Sequence, residues 1–221
     1  VTFEYSSDCS VLVYLGEEIS LDAHRRVVKL VRLMEAERPA GLLNLHPSYC
    51  SLLVVFDPVR TDHAEIRAHM ERLAERFDEV RLPAPRTIEI PVCYGGEYGP
   101  DLGDVATMHG MTPERVIELH SSAEYVVYFI GFVPGYPYLG GLPKELVTPR
   151  LPQPRRLVPA GSVGIAGNQA GVYSLPTPGG WRLLGRTPRV LFNPAREPAS
   201  LLEIGDIVRF RPIPAEEFGC A

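Results

Sequence analysis

The stretch SVGIAGNQAGVYSLP, residues 162–176, holds two short β-prone runs, SVGIAG and GVYSLP, separated by glycine-bounded residues that suit a turn. The same grammar recurs on either side of it. YVVYFIGF (125–132), WRLLG (181–185), RVLFN (189–193) and DIVRF (206–210) are short apolar runs punctuated by glycine and proline. Such spacing predicts an all-β barrel or sandwich, whose many turns need glycine's positive φ or proline's fixed one.

The amino-terminal part reads differently. Short β-prone runs at Val11–Leu15, Leu42–Leu45 and Leu52–Phe56 alternate with helical patterns over Ser20–Ala36 and Asp62–Phe77. In the first helix Leu21, Val27, Val28, Val31 and Met34 fall near one face, with His24, Arg25, Arg32 and Glu35 largely opposite. In the second, Asp62 caps the start with Glu65 reaching back, and Ile66, Met70 and Leu73 supply the buried stripe. The pattern predicts a small α/β sandwich with both helices on one sheet face.

The proline-marked stretch Leu82-Pro83-Ala84-Pro85-Arg86 continues neither helix nor ladder, which places a domain boundary there, with domains 1–85 and 86–221. Beyond it come a strand, Thr87–Tyr94, and two short helices, Asp101–His109 and Thr112–Leu119, the latter opened by Thr112 and Pro113. The fold class expected is α+β.

Composition narrows the function. The 221 residues are 45% hydrophobic and carry a net charge of −5 with no long basic stripe, so nucleic acid is not an expected partner. Lys29 and Lys144 are the two lysines, leaving few candidates for lysine chemistry. Cys9, Cys50, Cys93 and Cys220 form no C-x-x-C pair and read as free thiols of a reducing compartment; the six histidines show no i,i+4 pair, most of them read as surface or helix-end residues, and no metal site is expected. No run approaches the roughly 20 apolar residues of a membrane helix, and the start lacks signal-peptide order, so a cytoplasmic protein is expected. G-x-S-x-G, H-E-x-x-H and phosphate-loop motifs are absent.

Three segments could carry chemistry. GFVPGYPYLGGLP (131–143) can present Phe132, Tyr136 and Tyr138 as a rigid wall, on a backbone shaped by Gly131 and Gly135; it equally suits a corner with its aromatics packed inward. In PRRLVPAGSVGIAGNQAG (154–171), Arg155 or Arg156 could clamp an anion, Gln169 could bond an amide, and glycines such as Gly161 could bring backbone N–H groups close. Glycines so spaced also make ordinary hairpins. SLPTPGGWRLLGRTP (174–188) holds Gly179, Gly180 and the sole tryptophan, Trp181, which could cap a core or form a flat pocket wall.

Taken in order, GFVPGYPYLGGLP, PRRLVPAGSVGIAGNQAGVY and TPGGWRLLGRTP resemble the family of 5-oxoprolinase B subunits, also described as allophanate hydrolase subunit 1 and as the Kip-type sporulation-kinase inhibitor; LHPSYCSLLVVFDP (45–58) and DLGDVATMHGMTPERVIELHSSAEYVVYFIGF (101–132) extend the resemblance over nearly the whole chain. The resemblance implies a cyclophilin-like β-barrel with carboxyltransferase-type motifs after the amino-terminal sandwich. It implies one component of a hetero-oligomer that does not catalyse alone, partnered by a C-type subunit (allophanate hydrolase subunit 2-like) and an A-type subunit. Together these open a small cyclic amide, 5-oxoproline, to glutamate with ATP and magnesium. It points to Tyr136, Arg155, Gln169 and Trp181, flanked by Gly131, Gly135, Gly161, Gly179 and Gly180, as the substrate pocket, and names no base or nucleophile. It leaves two other roles open: inhibition of a histidine kinase, and an allophanate hydrolase or urea carboxylase-like component. A prolyl isomerase activity would rest on the barrel fold alone.

Overall fold

Alternation along two central strands organises the first unit. In the computed structural model, which describes residues 1–219, strands β1 (Thr2–Ser7), β2 (Ser10–Tyr14), β3 (Leu42–Pro47) and β4 (Ser51–Phe56) form an antiparallel sheet ordered β1-β2-β4-β3. Val11 and Val13 of β2, and Leu52, Val54 and Phe56 of β4, turn to one face. There they meet Val27, Leu30 and Met34 of helix α1 (Leu21–Ala36) and Ile66, Met70 and Leu73 of helix α2 (His63–Ala74). Each helix starts on a side-chain cap. Ser20 Oγ accepts from the Ala23 N–H and Asp62 Oδ1 from that of Glu65. The Glu65 carboxylate accepts from Thr61 Oγ1, at 2.8 Å, instead of closing a capping box with Asp62.

The buried face of α1 is rotated from the one expected. Leu21 is 46% exposed, whereas His24, read as solvent-facing, is 3% exposed. Ala23, Val27, Leu30 and Met34 step along the sheet at helical spacing, and His24 falls beside them. Burial, with the nearby Arg25 charge second, lowers the His24 pKa to about 4.

The compact units are Val1–Ala84 and a second from Pro85 onward. The second carries β5 (Thr87–Tyr94), β6 (Glu124–Ile130), β7 (Pro137–Gly140), β8 (Arg155–Val158), β9 (Ser162–Ala166), β10 (Gln169–Val172), β11 (Thr177–Gly179), β12 (Arg182–Arg186) and β13 (Ile207–Pro212). Seven of these close into a barrel in the order β10-β7-β6-β13-β5-β12-β9, and β8 with β11 makes a separate two-stranded ribbon. Closure removes the exposed edges that an open sheet would present. β5 and β13 run parallel, from Ile207 opposite Thr87 to Pro212 opposite Val92. Arg86, ahead of β5, donates from Nε to Asp206 Oδ1 ahead of β13 at 2.8 Å, which pins that register. Inside the barrel Val92, Leu139, Ile165 and Leu184 pack with Val105 of helix α3 (Leu102–Met108) and Val116 of helix α4 (Pro113–Ser122). A final turn, α5 (Ala215–Phe218), follows β13.

The architecture is the expected α+β class, with local differences. RVLFN forms one isolated bridge, Phe192 to Ser200, and no strand. Pro188 and Pro194 fence that run, and Leu191 anchors it as a loop in the barrel core. β1, β7, β8 and β11 were not expected, because exposed or proline-bearing strands lack a clean alternating signal. Cys9, Cys50 and Cys93 are free thiols, and Cys220 lies outside the described residues. No helix among the described residues is long and apolar enough to cross a membrane.

His120 is a helix-end residue of α4, as the sequence reading allows for histidines, but it does not face solvent. It lies fully buried, its ring stacked on Phe210 at 4.7 Å, with Tyr94 Oη 2.8 Å from Nδ1. Nε2 has no hydrogen-bond partner among the described residues, and desolvation lowers the ring's pKa to about 3. The unfolded chain takes up this proton below about pH 6.5, whereas the folded barrel refuses it until much lower pH. Stability contributed by the neutral ring is therefore present above pH 6.5 and falls as the pH drops toward the folded pKa. Urea unfolding followed by Trp181 fluorescence should show this loss between about pH 6.5 and 5, at up to roughly 1.4 kcal/mol per pH unit. His120→Phe should lessen the slope, leaving the part that buried His24 contributes; an unchanged slope would show that the His120 ring is not a source of it.

Candidate functional site

The pleat that sends Leu139, Val172 and Leu184 into the barrel turns their neighbours outward, and there the three glycine- and proline-rich segments converge. Tyr136, ahead of β7, Tyr173, after β10, and Trp181, ahead of β12, form one cluster with Val158 of the ribbon, Ala166 and Leu183. The ring centroids of Tyr136 lie 5.3 Å from Tyr173 and 5.9 Å from Trp181, both edge-on, and Tyr138 joins at 5.0 Å. Edge-to-face contacts at these distances place ring edges against the electron-rich faces. Two glycines make the packing possible. A Cβ at Gly171 would stand 2.7 Å from Tyr136 Oη and 3.0 Å from Trp181 Cζ3, and one at Gly179 would stand 2.2 Å from Tyr173 Oη.

An ion pair sits against this cluster. Arg155 Nη2 donates to Asp101 Oδ1 at 2.6 Å, Arg155 Nη1 approaches the Trp181 carbonyl at 3.4 Å, and Asp101 Oδ2 accepts from the Leu183 N–H at 2.7 Å. The side chains are 27% and 6% exposed respectively. Asp101 precedes α3 but makes no capping bond to it, since both its oxygens are committed elsewhere. Arg155 thus reaches the site with its charge already balanced, and any anion it holds must share it with Asp101.

The expected site residues divide accordingly. Tyr136 and Trp181 are buried against each other and back the wall instead of forming its surface. The surface belongs to Tyr138, stacked on Phe129 at 4.3 Å, and to Phe132, 61% exposed and edge-on to Tyr136. Phe132 holds φ +65°, a left-handed conformation costly for a bulky side chain. Gln169 is half-buried and opposes Ala166 in the hairpin, so the two side chains share the outward face of the cluster. Gly179 lies in β11 and Gly180 accepts the Leu151 N–H through its carbonyl at 2.7 Å. Gly131, Gly135 and Gly161 sit in turns: Gly135 packs under Phe192, and Gly161 donates to the Tyr173 carbonyl. Asp101, Tyr173 and Phe129 escaped the sequence reading. The first passes for an ordinary helix-start aspartate, and the other two for strand residues.

Known proteins share this sequence and this architecture. The carboxyltransferase domain family, subdomain C and D, matches residues 1–202. The 5-oxoprolinase B subunit of Bacillus subtilis (strain 168) is 40% identical over 229 residues, covering 97% of this chain and 94% of the relative; that of Escherichia coli O157:H7 is 45% identical over 207 residues, covering 93% of each. The chain belongs to the family of 5-oxoprolinase B subunits. A solved structure, TTHA0988, superposes with a TM-score of 0.81 at 38% identity; the match covers 92% of this chain and 39% of that one, so the chain spans about two fifths of TTHA0988. The urea amidolyase of K. lactis, with a TM-score of 0.81 at 20% identity over 99% of this chain and 15% of that one, shares the fold. B-type relatives over nearly full length and a carboxyltransferase-type fold thus coincide in one chain.

Removing the Asp101 carboxylate leaves the Arg155 guanidinium partly buried and unpaired. Asp101→Ala should cost on the order of 3 kcal/mol in urea unfolding monitored by Trp181 fluorescence. A double-mutant cycle with Arg155→Met should recover a coupling of about 1 kcal/mol or more; additive effects would dissolve the pair as a unit.

Proposed function

We propose that this chain is one component of an ATP-dependent 5-oxoprolinase complex that opens 5-oxoproline to glutamate. Its partners in this reading are a C-type subunit, allophanate hydrolase subunit 2-like, and an A-type subunit. The observation that carries it is the 40–45% identity to curated 5-oxoprolinase B subunits over nearly the full length of both chains. A cytoplasmic setting is part of the same reading.

The chemistry calls for a nucleotide as well as the amide. A lactam carbonyl is a poor electrophile. Transfer of the γ-phosphoryl group of ATP to its oxygen, with release of ADP, activates the carbon; water adds there, the ring C–N bond breaks as the nitrogen takes up a proton to become the new amine, and a second water hydrolyses the resulting acyl phosphate to the carboxylate and inorganic phosphate. ATP belongs, in this reading, to the assembled enzyme. What the cluster offers is a place for a small flat ring: Phe132 and Tyr138 as apolar faces, Gln169 as an amide partner, and Arg155 for a carboxylate when Asp101 shares it.

The test is ATP-dependent glutamate release from 5-oxoproline by this chain with its A-type and C-type partners, each component left out in turn. Loss of release when this chain is omitted is the expected result; undiminished release without it would end the proposal. Phe132→Gly refines the test. Glycine accepts the positive φ without strain, so the variant should unfold within about 1 kcal/mol of the parent, or be more stable. It should nevertheless lower kcat/KM of the complex at least about tenfold, as expected for a lost apolar face. Unchanged kcat/KM would remove Phe132 from the site.

A further inference from the structure

Trp181 and Leu183 face the aromatic cluster, and the residue between them faces the other way. Arg182 opposes Ile165 across the β12–β9 pair, and opposed residues of an antiparallel pair share a face. Since Ile165 lies in the barrel core, Arg182 projects to the inner side of the barrel wall, beside α3. Its side chain is 9% exposed, and among the described residues its Nε has no hydrogen-bond partner. One carboxylate answers it at a distance: Asp104 Oδ2, on α3, stands 3.6 Å from Nη1, beyond hydrogen-bond reach, on a side chain 68% exposed.

A guanidinium with a buried, unpartnered N–H is an unusual element in a folded chain, because buried donors are almost always paired. Here an arginine stands on the inner face of the barrel wall, and only a loosely placed, solvent-facing aspartate comes toward it. Nε–H and the adjacent Nη–H form a parallel fork, whose geometry matches the two oxygens of a carboxylate. The single positive charge suits a monoanion, and Asp104, exposed and beyond hydrogen-bond reach, holds it too loosely to exclude one.

We propose that Arg182, with Asp104 as its displaceable counter-ion, is a binding site for a small carboxylate, on the opposite side of the β12 backbone from the aromatic cluster. The site stands on Arg182 and Asp104 alone and does not depend on the reaction proposed above.

Nitrogen-15 NMR of the arginine Nε–H groups in the full 221-residue chain tests it. Arg182→Lys assigns the resonance. Titration with sodium acetate, and separately with sodium 5-oxoproline, should move that resonance saturably, while sodium chloride at equal ionic strength should not. Asp104→Asn lies on an exposed helix position and should fold normally. By removing the competing carboxylate it should tighten acetate binding about two- to fivefold, the range expected for an exposed ion pair. An Arg182 resonance that stays still, or that chloride moves equally, overturns the proposal, as does an affinity that Asp104→Asn leaves unchanged. Inorganic phosphate binding in preference to acetate would overturn the carboxylate class. Because the readout is one resonance of the isolated chain, its failure is distinct from failure of glutamate release by the complex.

Discussion

The Asp101 carboxylate answers two donors at once, the Arg155 guanidinium and the Leu183 backbone N–H, and in doing so ties the start of α3, the ribbon strand β8 and the barrel strand β12 to one point. These groups are 54 and 82 residues away from Asp101 in sequence. A buried carboxylate is tolerated only when its oxygens are fully engaged. The position of the ribbon, and with it Val158 against Tyr173 and Trp181, follows from that requirement. Without it Arg155 would be a solvated surface arginine and the outward aromatic cluster would lose one of its walls.

The pleat of a closed barrel then separates two environments along a single strand. On β12 and its approach, Trp181 and Leu183 belong to the outer cluster, whereas Arg182 and Leu184 turn inward. Shape on the outer side is set by rings meeting edge to face, and glycine is what lets them approach: a side chain at Gly171 or Gly179 would collide with a tyrosine hydroxyl. The dense glycine and proline content of the three segments is therefore a packing requirement as much as a turn requirement.

Much of the scaffold was legible because its signals are local. β-branched and aromatic runs marked β6 and β13, and Asp62 and Thr112 marked helix starts through caps that the structure contains. β7 was hidden inside GYPYLGG, where Pro137 and the glycines suggested a corner, and RVLFN carried strand composition between two prolines that prevent a ladder. The same limit holds for the site. Tyr136 and Trp181 were found by residue type and by resemblance, but their burial depends on partners far along the chain. Asp101 carries no sequence signal that separates it from a helix cap. Nor could spacing alone reveal that Arg155 arrives already paired.

In the proposed function the cluster works as one unit that supports a bound ring, and Trp181, the sole tryptophan, allows that to be tested in place. The decisive measurement is fluorine-19 NMR of the assembled complex in which only this chain carries 5-fluorotryptophan, titrated with 5-oxoproline. The account predicts a single resonance that shifts saturably, and that no longer does so in a Phe132→Gly complex. A resonance that stays fixed while the complex turns substrate over would contradict it.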